Sequence, residues 1–262
     1  MKKNLKLIYF SPTDGTKKIL KEIARGINLE YKEFDITLPQ NRVDNLFFDE
    51  NDIILVGMPT YAGRFPKLLN NYMEKIQCNN SLCVPIATYG NRDYEDSLLE
   101  LKDLLEDKSC KTLAAATFVT EHSSTDKLGT KRPDREDLSV AYDFGLKLRS
   151  KLENLKSIDE LENLNIPGNF PYIIKNVPML KITPQTKETC VNCKICAKHC
   201  PTAAIDFDNC KEIDVNKCIK CCSCIKRCPF NSKEMTHEAY KNMQNMLISN
   251  FAHIIRKPEI FI

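Results

Sequence analysis

"LKLIYFSPTDGTKKILKEIARGI", residues 5 to 27, sets out a strand, a turn and a helix in one pass. Leu5 to Phe10 is an apolar, strand-forming run, Ser11 to Thr16 is a hydroxyl-rich turn, and from Thr16 the apolar residues recur at helical spacing. The pattern repeats along the chain. Strand-like runs are predicted at 52–59, 83–90 and 111–120, with a weaker one at 31–37. Helical patterns are predicted at 16–27, 65–77, 94–108 and 135–154. Strands buried on both faces and separated by helices predict an α/β fold, a doubly wound parallel sheet whose ligand loops lie at the C-terminal strand ends.

Composition bounds the rest. The chain has 262 residues, 42% of them apolar, and a formal charge of +3. No apolar run reaches the roughly 18 residues of a membrane span, and no Lys/Arg block suggests nucleic acid. The expectation is a protein with no membrane and no nucleic-acid partner. The opening "MKKNLKLIYF" has the lysines of a targeting segment, but Lys6 interrupts its apolar run, which ends at Ser11 and Pro12; it reads as a first strand. Of 13 cysteines, ten lie between Cys190 and Cys228. A cluster of that kind predicts metal ligation in a reducing, cytoplasmic setting rather than a disulfide scaffold.

The cysteines repeat. Cys190, Cys193, Cys196, Cys200 and Pro201 recur 28 residues later as Cys218, Cys221, Cys224, Cys228 and Pro229. Each copy reads CxxCxxCxxxCP and resembles bacterial ferredoxins that hold two [4Fe-4S] clusters. The resemblance implies a small α+β domain and a crossed ligand set. Cys190, Cys193, Cys196 and Cys228 would hold one cluster, and Cys218, Cys221, Cys224 and Cys200 the other. Structural zinc leaves the third cysteine of each triplet and both prolines unexplained. Cys210 and Cys222 read as small buried hydrophobes, and His199 as a solvated residue. The first copy continues "CPTAAIDF" but the second "CPFNSKEM", so the second cluster is expected to be the wetter one.

The three loops after the first, third and fourth strands resemble those of flavodoxins. Ser11, Thr13, Asp14, Gly15 and Thr16 stand where flavodoxins hold the FMN phosphate, although Asp14 replaces a glycine and Pro12 lacks an N–H. Pro59, Thr60, Tyr61, Ala62 and Gly63 form the second loop, with Tyr61 placed against one ring face. Thr88, Tyr89, Gly90, Asn91, Arg92 and Tyr94 form the third, with Tyr94 expected on the other face. The resemblance implies a five-stranded sheet of order 2-1-3-4-5 and an FMN cofactor. Ala62, where glycine is usual, implies weaker support of the one-electron-reduced ring. With two oxidised clusters and FMN the formal charge falls to about −3.

Together the two likenesses match the flavodoxin-ferredoxin fusion family. The expected division is an FMN domain at 1–155, a Pro-rich strap at 156–186, a ferredoxin domain at 187–235, and a helix and tail at 236–262. The strap's apolar residues from Tyr172 to Leu180 are expected to pack on a domain. His122 reads as a solvated loop residue, and Arg64 and Arg92 as charges near the ring or on the surface. Asp14 is expected to face solvent or to pair with Lys17 or Lys18.

Function divides between a relay joining one-electron carriers to a redox partner and a flavin-dependent reductase of a quinone, nitro compound or similar acceptor. Whether the chain is an enzyme thus stays open, as does a third reading, a ferredoxin with an FMN-free docking domain. A ferredoxin-type donor or acceptor is the expected partner, and a second copy of the chain is a further candidate. No GxGxxG occurs, so a nicotinamide site is not evident.

Overall fold

The computed structural model describes residues 3–175 and 180–262. Five parallel strands, β1 (Asn4–Tyr9), β2 (Tyr31–Asp35), β3 (Asp52–Pro59), β4 (Leu82–Tyr89) and β5 (Ala115–Val119), lie in the order β2-β1-β3-β4-β5. This is the flavodoxin-like doubly wound arrangement, with the order reversing at β1 and β3. A sixth strand, β6 (Glu259–Phe261), runs antiparallel along β5, so the tail completes the sheet.

Both faces of the sheet are covered. On one, α1 (Gly15–Ile27) and α3 (Arg135–Asn154) bury Ile19, Leu20, Ile23, Phe144 and Leu148 against Leu7, Leu55, Val84 and Phe118. These two helices meet backbone to backbone: a Cβ added at Gly26 would strike the Tyr142 carbonyl and lie 2.9 Å from the Gly145 Cα. On the other face, α2 (Ser97–Glu106) sets Leu101 and Leu105 against Ile8, Ile54 and Val56.

Two elements differ from the sequence expectation. The helix expected at 65–77 shrinks to a 3₁₀ turn, Lys67–Leu69, and one α-turn, Asn70–Met73. Phe65 precedes a proline, which disfavours helical backbone there, and Ile76–Cys78 instead pairs in parallel with Leu46–Phe48. The strand expected at 111–120 is split. Lys111 pairs with Leu82 but Ala116 with Ile86, a one-residue slip that marks a bulge at 113–114.

Residues 156–175 cross the outer end of α2 as an irregular strap. Polar groups fasten it: Asp96 accepts from the Asn169 backbone and side chain and from the Ile173 N–H, and the Tyr172 hydroxyl donates to Asp103 at 2.6 Å. Phe170 and Ile174 are about 80% exposed, so the later part is held by these polar groups, whereas Ile158, Leu161, Leu164 and Ile166 in the earlier part pack on the core. Residues 176–179, which carry part of the expected apolar run, lie outside the described residues.

The cysteine-rich part repeats one unit twice. The short helices α4 (Ile195–Lys198) and α5 (Ser223–Lys226) each follow a left-handed residue, Lys194 and Cys222. Gln185–Thr186 pairs antiparallel with Lys233–Glu234 and closes the unit. Helix α6 (Glu238–Phe251) then returns over the first domain, where the Asn91 side chain donates to the carbonyls of Phe251 and Ile254. No helix among the described residues is long and apolar enough to cross a membrane.

Candidate functional site

A cavity of about 420 Å³ opens at the C-terminal ends of β1, β3 and β4, the place where a doubly wound sheet splays its loops. Its floor is Ser11, Thr13, Gly15 and Thr16 from the first loop, with Pro59, Thr60, Tyr61, Ala62, Thr88, Tyr89, Gly90 and Arg92 around it. The Ser11 hydroxyl accepts from the Lys17 N–H at 3.1 Å, and the Thr16 and Thr88 hydroxyls lie 2.7 Å apart. Helix α1 begins here without a side-chain cap or an acidic residue in its first turn. With the Lys17 N–H taken by Ser11, the N–H groups of Gly15 and Thr16 and the positive end of the α1 dipole remain available to an anion.

Tyr61 stands on the wall, its ring edge-on to Phe10 at 6.4 Å. Burial pushes its phenol well above the usual value, with the thiols of Cys221 and Cys222 adding to the shift. The Tyr61 N–H and carbonyl both bond to Arg64, closing a two-residue turn in which Ala62 (φ 53°) and Gly63 (φ 84°) are left-handed. Alanine thus holds a backbone conformation that glycine adopts more readily.

Four of the expected residues lie off this wall. Tyr94 is buried, tilted against Tyr89 with ring centroids 5.6 Å apart, and its hydroxyl donates to Glu259 of β6 at 2.8 Å. The sheet extension therefore draws this ring away from the cavity. Asn91 is occupied by the carbonyls of Phe251, the last residue of α6, and Ile254 just after it, and Gly63 sits against Glu95. Asp14 pairs neither with Lys17 nor with Lys18 but with Arg227, at 2.7 Å. Two charged or polar expectations also change. Arg64 binds Glu100 through two bonds and stacks on Tyr172, away from the cavity. His122 is not a solvated loop residue: it is in the wall, where burial and the charges of Lys226 and Arg92 push its imidazole down to about 4.

The opposite wall was not foreseen. Ile219, Lys220 and Cys221 come from the second cysteine triplet, and Tyr240, Met243, Met246 and Leu247 come from α6. The spacing of those four on one helical stripe was the available signal. Glu121 adds a carboxylate to the rim, held at 2.5 Å by Lys226 and lowered below its usual range by hydrogen bonds and charge that outweigh its partial burial.

The eight repeat cysteines form two groups, each enclosing its own small cavity. One is lined by Cys190, Cys193, Cys196 and Cys228, the other by Cys200, Cys218, Cys221 and Cys224. Backbone N–H groups already point at sulfur: Ala204 at Cys200 (3.2 Å) and Ser232 at Cys228 (3.3 Å). Such donors suit thiolates that carry cluster charge. Cys210 and Cys222 are buried beside the groups, at 1% and 3% exposure, and His199 is exposed.

The expectation that the second cluster site is the wetter one is overturned. Cys193 of the first group is exposed, whereas burial raises the Cys221 thiol to about 12 and that of Cys224 still further. Crossing explains it. Pro229 and Phe230, which follow the fourth cysteine of the second copy, line the first cavity, while Ala204 and Ile205 cover the second.

Residues 184–243 match the 4Fe-4S dicluster domain family. No curated protein matches the chain. Similar solved structures include a flavodoxin from Archaea (13% identity, 58% of this chain and 99% of that one, TM-score 0.42). A flavodoxin of Streptococcus pneumonia TIGR4 is similar at 16% identity (56% and 99%, TM-score 0.41). The rubredoxin oxygen:oxidoreductase of Desulfovibrio gigas is similar at 14% (58% and 38%, TM-score 0.41). It is the strand order that assigns the fold. The chain joins a flavodoxin-like α/β fold to a segment, residues 184–243, that matches the 4Fe-4S dicluster domain family, and that match supports a redox, electron-transfer role.

Proposed function

We propose that the chain carries two [4Fe-4S] clusters on the two cysteine groups and an FMN in the 420 Å³ cavity, and relays electrons between them. The observation that supports this reading is Cys221, which belongs both to one cysteine group and to the cavity wall. A cluster held there would touch the same side chains as a flavin ring. Bound clusters pass single electrons and a bound flavin holds one or two, so the pair joins one-electron carriers to other partners. Ser11, Thr13 and Thr16 with the α1 N-terminus would receive the phosphate, and Tyr61 would lie along the ring. Neutral His122 and the apolar stripe of α6 would exclude water from the other side. Cys193, exposed on the first group, makes that group the entry for a ferredoxin-type protein partner.

Cofactor analysis of protein purified without oxygen tests the reading, with about eight irons and one FMN expected per chain. Eight irons without FMN would reduce the first domain to a docking module. The cover supplied by Tyr240, Met243, Met246 and Leu247 favours the relay over reduction of a small acceptor. Dithionite-reduced protein mixed with quinones and nitro compounds separates the two, because fast multiple turnover with one of them would make the chain a reductase.

A further inference from the structure

The two oddities of the first loop, a proline without an N–H and a carboxylate where an anion should bind, meet one group from the cysteine-rich part. The Ser223 hydroxyl donates to the Pro12 carbonyl at 2.7 Å, and Arg227 reaches the same carbonyl through Nε at 3.3 Å and Nη2 at 3.2 Å. Nη2 of Arg227 also binds the Asp14 carboxylate at 2.7 Å. Ser223 is 1% exposed, and Pro12 is buried. Both donors sit on or just after α5, between Cys222 and Cys228. Four polar bonds thus tie the loop at the α1 N-terminus to the segment that carries Cys224 and Cys228.

We propose that Arg227 completes the phosphate loop from outside its domain: it neutralises Asp14 and fixes the Pro12 carbonyl, so that FMN affinity is set by the cysteine-rich part. This rests on the reading of the cavity as an FMN site. A carboxylate beside a phosphate dianion opposes binding, and a guanidinium on that carboxylate removes the opposition. The left-handed backbone of Asp14 (φ 65°) aims its side chain at α5 rather than at the α1 N–H groups, where it would cap the helix and compete with the ligand. Pro12 supplies a rigid turn whose carbonyl accepts from both donors. The two departures from the flavodoxin pattern are therefore one device.

The test is FMN binding to the full, cluster-loaded chain, read as quenching of FMN fluorescence, with iron content measured on each sample. Arg227→Ala is expected to weaken FMN roughly three- to tenfold, the modest size reflecting an ion pair that is 24% and 44% exposed. In an Asp14→Asn background the same substitution is expected to cost less, since no charge is left to neutralise, and this cycle uses a second variant on the opposite side of the pair. Unchanged affinity in Arg227→Ala at full iron content overturns the proposal, as does an undiminished loss in the Asp14→Asn background. Failure of the parent chain to bind FMN overturns the cavity assignment instead.

Discussion

The two cysteine groups share a sequence motif and differ in what surrounds them. The group built on Cys190, Cys193 and Cys196 faces outward, with Cys193, Val191 and Phe230 exposed. The group built on Cys218, Cys221 and Cys224 faces inward, where Ile219 packs on the sheet's core and Cys221 walls the cavity. Identical ligand spacing therefore says nothing about accessibility. The neighbours that decide it come from the other copy and from the other domain.

The largest expected effect separates the groups directly. Cys221→Ala should slow electron delivery from a one-electron donor to the flavin by roughly a hundredfold, about 2.7 kcal/mol of barrier, in rapid-mixing absorbance traces. Cys193→Ala, with the inward group intact, should retain direct exchange between that cluster and the flavin. Equal losses in both would erase the distinction.

The inward side should also govern pH sensitivity. His122 has its imidazole lowered to about 4 when folded, against about 6.5 unfolded. Between those values only the unfolded chain takes the proton, so stability is full above about pH 6.5 and falls as pH drops toward 4. The expected loss is about 2–3 kcal/mol, visible in denaturant melts, and His122→Asn should remove it.

Smaller effects sharpen the geometry of the wall. Tyr61→Ala should weaken FMN by about 1–1.5 kcal/mol, near tenfold, by fluorescence titration. Tyr94→Phe should leave FMN affinity unchanged and lower the melting temperature, because its hydroxyl serves Glu259 of β6 and not the cavity. The least change is expected from Ala62→Gly, which should stabilise the chain by about 0.5–1 kcal/mol by relieving the left-handed alanine. A destabilised variant would show that the tight turn is not strained.

The α/β class was legible in local pattern, apolar runs separated by helices, while the strand order and the crossed grouping of the cysteines came from the resemblances to flavodoxins and ferredoxins. What could not be read were contacts between residues far apart in the chain. Arg227 on Asp14, Tyr94 on Glu259 and the α6 stripe over the cavity each join segments more than 100 residues apart. Tyr94 shows the cost of reading a loop alone, since its position matched a ring-facing residue while the last strand claimed its side chain. Asp14 shows the reverse, a residue that looked misplaced until its partner was in view.

Strand β6 carries a consequence for the order of synthesis. The open edge of β5 is filled only by residues 259–261, which are made after every cysteine of both groups. A nascent first domain therefore presents a bare, buried-type strand edge while the cysteine-rich segment is still emerging. Such an edge pairs readily with other chains. A chain ending before residue 259 should therefore aggregate more readily than the full chain, as light scattering at equal concentration would show.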